Sequence, residues 1–303
     1  MTQERAADSL GSNCQESLES CQVLRHFVLG AVVIGAACGG PSPGGVDAPA
    51  EIDAPAVDAA PLAIDCNAAP TAPPAALGLD PFYVKYVDAG IPVIGSASVR
   101  DAAFAPACEI VSHMLALRPE LRERLLANRI RVGIMAETEV TTDMPEHSDL
   151  NEAFPGTDWD ARARGLGATI ARPLTSCGEE NLLALNGDRY AGESILVHEF
   201  GHTTWDLGVR LLAGGSGKQT ELSAAFQAAI TAGTFANTYA ATNVAEYWAE
   251  GVQSWFNTNL EAEPANGIHN SIDTRVELRA ADAELARLVG EVFLDDAWQP
   301  PPY

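Results

Sequence analysis

Two histidines four residues apart enclose a glutamate in the segment His198-Glu199-Phe200-Gly201-His202. Imidazole nitrogens are good zinc ligands, and a carboxylate beside the first ligand can hold a water at the metal without closing its coordination shell. If the segment is helical, positions i and i+4 lie within about 40° of each other, one turn apart, so both rings reach one ion. The surrounding stretch ESILVHEFGHTTWDL places Ile195, Leu196, Val197 and Phe200 around the motif, as an interior helix requires. Zn2+ is therefore the expected cofactor, held by His198 and His202, with Glu199 poised as a general base.

A zinc site needs at least a third protein ligand. Downstream, 243–257 reads as a helix with Asn243 as its N-cap, and most of its residues are apolar: Val244, Tyr247, Trp248, Val252, Trp255 and Phe256. Glu246 and Glu250 sit one turn apart on this helix and are expected to face inward. A buried carboxylate requires a metal or a donor N–H, so Glu246 is read as the third ligand and Glu250 as an acceptor for a ligand histidine. Of the other histidines, His147 is expected on the surface, His113 is expected to be structural within a helix, and His269 lies in a turn where substrate contact is open.

The segment Tyr239-Ala-Ala-Thr242-Asn243-Val-Ala245-Glu246-Tyr-Trp-Ala249-Glu250, following HEFGH, resembles the metallopeptidase domain of the anthrax lethal factor and Pro-Pro endopeptidase family. The likeness covers about a fifth of the chain, roughly 193–256. It implies a zincin-like fold in which His198, His202 and Glu246 bind zinc, Glu199 is the general base and Tyr239 stabilises the oxyanion. It also assigns Glu250 and Asp206 to acidic positions supporting the site. Substrate preference does not carry over.

Around these motifs the chain reads as α+β: a small mixed sheet, the metal-binding helix, and a mostly helical C-terminal half. Helices are expected at 102–117 and 119–128, a strand at 130–136, a long loop at 137–167 and a second short strand at 168–172. Residues 165–172 are a candidate sheet edge for a substrate strand. Further helices are expected at 192–207, 219–232, 243–257 and 273–294, with Asp273 capping the last and Gly208 stopping the first.

The first quarter differs in kind. Residues 27–37 (FVLGAVVIGAA) are strongly apolar but too short to span a bilayer, which takes about 20 residues, and Arg25 and His26 precede them. With Gly35, Ala36 and Ala37 before Cys38, this run resembles a bacterial lipoprotein signal in which Cys38 is lipidated. Gly35 stands where such signals usually carry Leu. The polar, acidic stretch 1–22 does not suit a leader, so initiation is expected at Val23 or Leu24. Residues 39–76 hold 8 of the 19 prolines, five acids and no Lys, Arg or aromatic residue, with a loose repeat in VDAPAE, IDAPA and VDAAP. That composition cannot bury enough apolar surface to offset its ordering entropy and is read as a disordered spacer. The organisation expected is thus 1–38 extension and signal, 39–76 linker, and 77–303 catalytic domain.

The balance of 18 Lys+Arg against 41 Asp+Glu gives a net charge of −23, which repels polyanions and excludes nucleic acid as a partner. With Cys14 and Cys21 upstream of the expected start and Cys38 lipidated, Cys66, Cys108 and Cys177 remain, an odd number from which any one pair can form. The expectation is an exported or surface-anchored zinc metalloendopeptidase acting on a peptide or protein substrate. Its rivals are a non-catalytic surface binding lipoprotein with a structural zinc, and an amidase or deacylase using the same chemistry. The membrane enters only through the N-terminal lipid.

Overall fold

A computed structural model describes residues 64–301. The run read as a signal, Cys38 and the expected spacer up to residue 63 lie outside the described residues. Strand β1 (Lys85–Asp88) turns back on β2 (Pro92–Gly95) as an antiparallel hairpin, Lys85 opposite Gly95 and Asp88 opposite Pro92. Its turn places Gly90 at φ +88°, a left-handed conformation that glycine adopts without steric cost. Two parallel neighbours need a crossover. Helices α1 (Phe104–Met114) and α2 (Pro119–Ala127) supply it, bringing β3 (Arg131–Met135) beside β2 with Val93 opposite Val132.

A long connection then leads to β4 (Gly165–Leu166), which pairs antiparallel with β5 (Leu174–Gly178), Gly165 opposite Cys177. Because β5 inserts parallel to β3, with Val132 opposite Thr175, the order is β1-β2-β3-β5-β4 and β4 forms one edge. The two-residue period of the central strands separates two cores. Val93, Val132, Ile134 and Cys177 join the large helical core, while Ile94, Met135 and Leu174 face Tyr83 and Met144 in a smaller one.

The second half is helical: α3 (Ile195–Thr203), continued as a wider turn over Thr204–Gly208, then α4 (Gly215–Ala232), α5 (Val244–Trp255), α6 (Arg275–Ala281) and α7 (Ala283–Gly290). The α+β expectation therefore holds, a small mixed sheet followed by a mostly helical half. Among the described residues, no helix is long and apolar enough to cross a membrane.

Several boundaries differ from the sequence reading. Residues 64–76, read as the end of the spacer, belong to the folded part. Ile64 packs on the large core, Cys66 is disulfide-bonded to Cys108 on α1, and the Thr71 amide donates to the Tyr86 carbonyl at 3.0 Å. Composition missed this because these contacts are made with α1 and β1, not within the segment. Among the described residues Cys177 is the free thiol, fully buried on β5. The strand placed at 168–172 is instead the β4–β5 turn, closed by the Thr169 amide on the Arg172 carbonyl, with Ile170 at the exposed tip. The last helix breaks in two. Thr274, not Asp273, caps α6 through a reciprocal bond with Glu277, and Asp282 caps α7.

Candidate metal centre

Helix α3 begins where the Ser194 hydroxyl accepts from the Val197 amide, and its apolar residues Leu196, Val197 and Phe200 are fully buried. The helix is also pinned to the sheet. Thr203 Oγ1 lies 2.6 Å from Thr175 Oγ1 on β5 and accepts from the Ala168 amide at 2.9 Å. Asn181 Oδ1 takes the Ile195 amide at 2.9 Å. Helix α5 starts at Asn243, whose side chain accepts from the Ala245 and Glu246 amides at 2.9 and 3.0 Å. It packs on α3 through Trp248, whose indole donates to the Gly201 carbonyl at 3.0 Å. A Cβ on Gly201 would already touch Val252 at 3.4 Å, so this glycine sets how closely the helices approach.

This packing brings together the three residues read as ligands. His198 Nε2 is 3.1 Å from His202 Nε2 and 3.2 Å from Glu246 Oε2, and His202 Nε2 is 3.3 Å from the same oxygen. Two ligands on a tetrahedral zinc, each about 2.05 Å from the metal, stand about 3.3 Å apart. The three donor atoms match that spacing, and the set of two imidazoles and one carboxylate suits the ion chemically. Among the described residues, this is the cluster of histidine, cysteine and acidic side chains that could hold a metal.

The electrostatics point the same way. Burial disfavours a His198 imidazolium, but the hydrogen bond to Glu246 and the charges of Glu199, Glu246 and Glu250 outweigh it and push the group up to about 10. Burial likewise opposes ionisation of Glu246, yet His202 and His198 hold its carboxylate well below the usual range. Buried acids around two imidazoles make a site that favours positive charge, as a bound cation would supply.

Glu199 lies beside this triad. Burial raises its pKa against the opposing charges of His198 and His202, and the Gly167 backbone contributes a hydrogen bond to the carboxylate. Tyr239 rises from a short turn held by its amide on the Ile268 carbonyl at 2.8 Å, and its ring stacks toward His198 with centroids 6.5 Å apart. Burial, then the charges of Glu246 and Glu199, keep the phenol protonated far above its ordinary value.

The remaining candidates fall in different places. Asp206, which lies in the wider turn after α3, pairs with Arg210 at 2.7 Å, both side chains partly exposed. Glu250 is buried, but its Oε1 stands 3.7 Å from His198 Nδ1 while Oε2 accepts from Asn259 at 2.9 Å. The direct partner of His198 Nδ1 is Gln253 Oε1 at 2.8 Å, a residue the sequence reading did not single out. Its position two turns beyond Glu246 on the same helix was the available signal. His147 is buried rather than exposed. His113 stacks on Trp298 with centroids 3.9 Å apart, as a structural role requires. His269 is buried against Glu193 at 3.3 Å, so the substrate contact left open for it finds no support.

No family model matches the chain, and no curated protein matches it by sequence. Among solved structures it is similar to the Pro-Pro endopeptidase PPEP-2 from Paenibacillus alvei, at 13% identity and a TM-score of 0.44, covering 66% of this chain and 97% of that one.

Proposed function

We propose that this chain is a zinc-dependent metalloendopeptidase, exported and tethered to a membrane by a lipid on Cys38. The observation that carries the catalytic reading is the meeting of His198, His202 and Glu246 donor atoms within 3.1 to 3.3 Å, with the Glu199 carboxylate alongside and outside that set. A purely structural zinc would have no use for Glu199 and Tyr239 at those positions.

Zinc held by these three residues would lower the pKa of a water from about 16 toward 7 and polarise a scissile carbonyl. Glu199, its pKa raised by burial, takes a proton from the attacking water and returns it to the leaving amine. Tyr239 keeps its phenolic proton and donates it as a hydrogen bond to the oxyanion that develops on the substrate. The edge strand Gly165–Leu166 has β5 on one side only, and an extended peptide added along its other side would run past Glu199. Export and lipidation rest on the apolar run before Cys38 and the Pro/Ala/Asp spacer after it.

The test is digestion of a broad peptide library, with cleaved bonds identified by mass spectrometry. Internal cleavage by the wild type and none by Glu199→Gln supports an endopeptidase. Zinc-loaded protein that cleaves nothing supports the binding-module reading, and cleavage of non-peptide amides alone supports an amidase or deacylase.

A further inference from the structure

Gln253 is fully buried on α5, seven residues beyond Glu246, and its amide is bonded at both ends. The Nε2 group lies 3.3 Å from Glu193 Oε2 and 3.3 Å from the Ser194 carbonyl oxygen, a carboxylate and a carbonyl with no proton to offer. The amide must therefore present its NH2 to them, and Oε1 is left facing His198 Nδ1 at 2.8 Å. An amide oxygen only accepts, so Nδ1 must carry the proton. In a neutral imidazole the lone pair then sits on Nε2, the atom facing Glu246 and His202.

We propose that Gln253 is a positioning residue that holds His198 with its proton on Nδ1 and its Nε2 lone pair turned to the cation, and that Glu193 and Ser194 fix which end of the amide faces the ring. The inference rests on the metal reading above. Glu193 and Ser194 immediately precede α3, whereas Gln253 shares α5 with Glu246. The chain His198–Gln253–Glu193 therefore locks the helix carrying two ligands to the helix carrying the third. His269 Nε2 closes it from behind at 3.3 Å from Glu193 Oε2. The hydrogen-bond acceptor on Nδ1 is a neutral amide at 2.8 Å, with the Glu250 carboxylate farther off at 3.7 Å.

The test compares wild type, Gln253→Met and the double variant Gln253→Glu with Glu193→Gln, all as the full chain. Methionine keeps the length but removes both the acceptor and the donor. The double variant exchanges amide and carboxylate, restoring an acceptor for His198 and a donor between positions 193 and 253, while the Ser194 carbonyl lacks its Gln253 donor in both variants. Zinc affinity is read by competition with a chromophoric chelator, and the His198 Nδ1 proton by nuclear magnetic resonance in metal-free and zinc-loaded protein. Gln253→Met is expected to weaken zinc binding about 10- to 100-fold and to lose exchange protection of the Nδ1 proton. The double variant is expected to recover both, a rescue that a merely space-filling role would not give. Unchanged affinity and protection in Gln253→Met, or failure of the folded double variant to recover them, overturns the positioning role alone. A wild type that takes up no zinc overturns the functional reading and this role with it.

Discussion

Gly165 on the sheet's edge strand stands directly against Glu199: a Cβ there would lie 3.1 Å from Glu199 Cγ and 2.4 Å from Ile195 Cγ2. The edge strand and the metal helix thus meet with no room for a side chain. Gly165→Ala is expected to destabilise the fold by about 1–3 kcal/mol, the usual cost of forcing a methyl into a packed site. It should also displace Glu199 and lower turnover while His198, His202 and Glu246 still take up zinc. Thermal denaturation with metal analysis checks this, and a variant matching wild type in both stability and turnover would refute the contact.

Tyr239 makes a separable contribution. Its phenol is raised far above the normal range by burial and by Glu246 and Glu199, so it remains a donor across the working pH. Tyr239→Phe removes the donor and little else. Turnover should fall about 10²- to 10³-fold, as for other oxyanion donors, with bound zinc unchanged. Steady-state kinetics beside a metal assay separates this from a loss of zinc.

Buried His147 gives the stability a pH dependence. Its Nδ1 has no partner among the described residues, and burial pulls its pKa down to about 4 against the opposing charges of Glu146 and Asp149, with Arg172 adding to the depression. The ordinary value is about 6.5. Between these values the unfolded chain binds more protons than the native one, so stability rises with pH and is lost as pH falls through that window. The single-group ceiling is about 3 kcal/mol. Urea midpoints measured at both ends of the window should differ less for His147→Leu than for wild type. An equal difference would remove His147 as the cause.

The Cys66–Cys108 bond joins the start of the described chain to α1 across a separation of 42 residues. Replacing both cysteines with serine should cost about 2–5 kcal/mol, measured by denaturant unfolding under non-reducing conditions. No change in midpoint would mean that the contacts of Ile64 and Thr71 suffice to hold the segment.

Legibility followed the range of the interactions. His198, Glu199 and His202 were readable because their spacing fits one face of one helix, and Glu246 because an acid among Tyr247, Trp248 and Val252 needs a partner. Gln253 escaped because a neutral amide carries no such demand, and its role depends on where Glu193 and His198 lie in space. Asp206 matched the family by position alone, and its ion pair is with Arg210 four residues on. Strands β1 and β2, four residues each, are too short for a clear periodic signal beside the helices that follow. The Thr169-Ile170 pair looks extended, but its exposure at a turn is set by the pairing of Gly165 with Cys177. Ile64 and Cys66 sit in spacer-like sequence, and only their contacts with α1 and the core make them part of the fold.

Zinc stoichiometry in wild type and Glu246→Ala, purified identically and supplied with micromolar zinc, tests the centre most directly. Wild type should hold about one zinc per chain, and Glu246→Ala should hold far less at the same supply while its two histidines stay in place. Wild type that remains metal-free, or a variant that binds zinc as tightly as wild type, would contradict a site built by His198, His202 and Glu246 together.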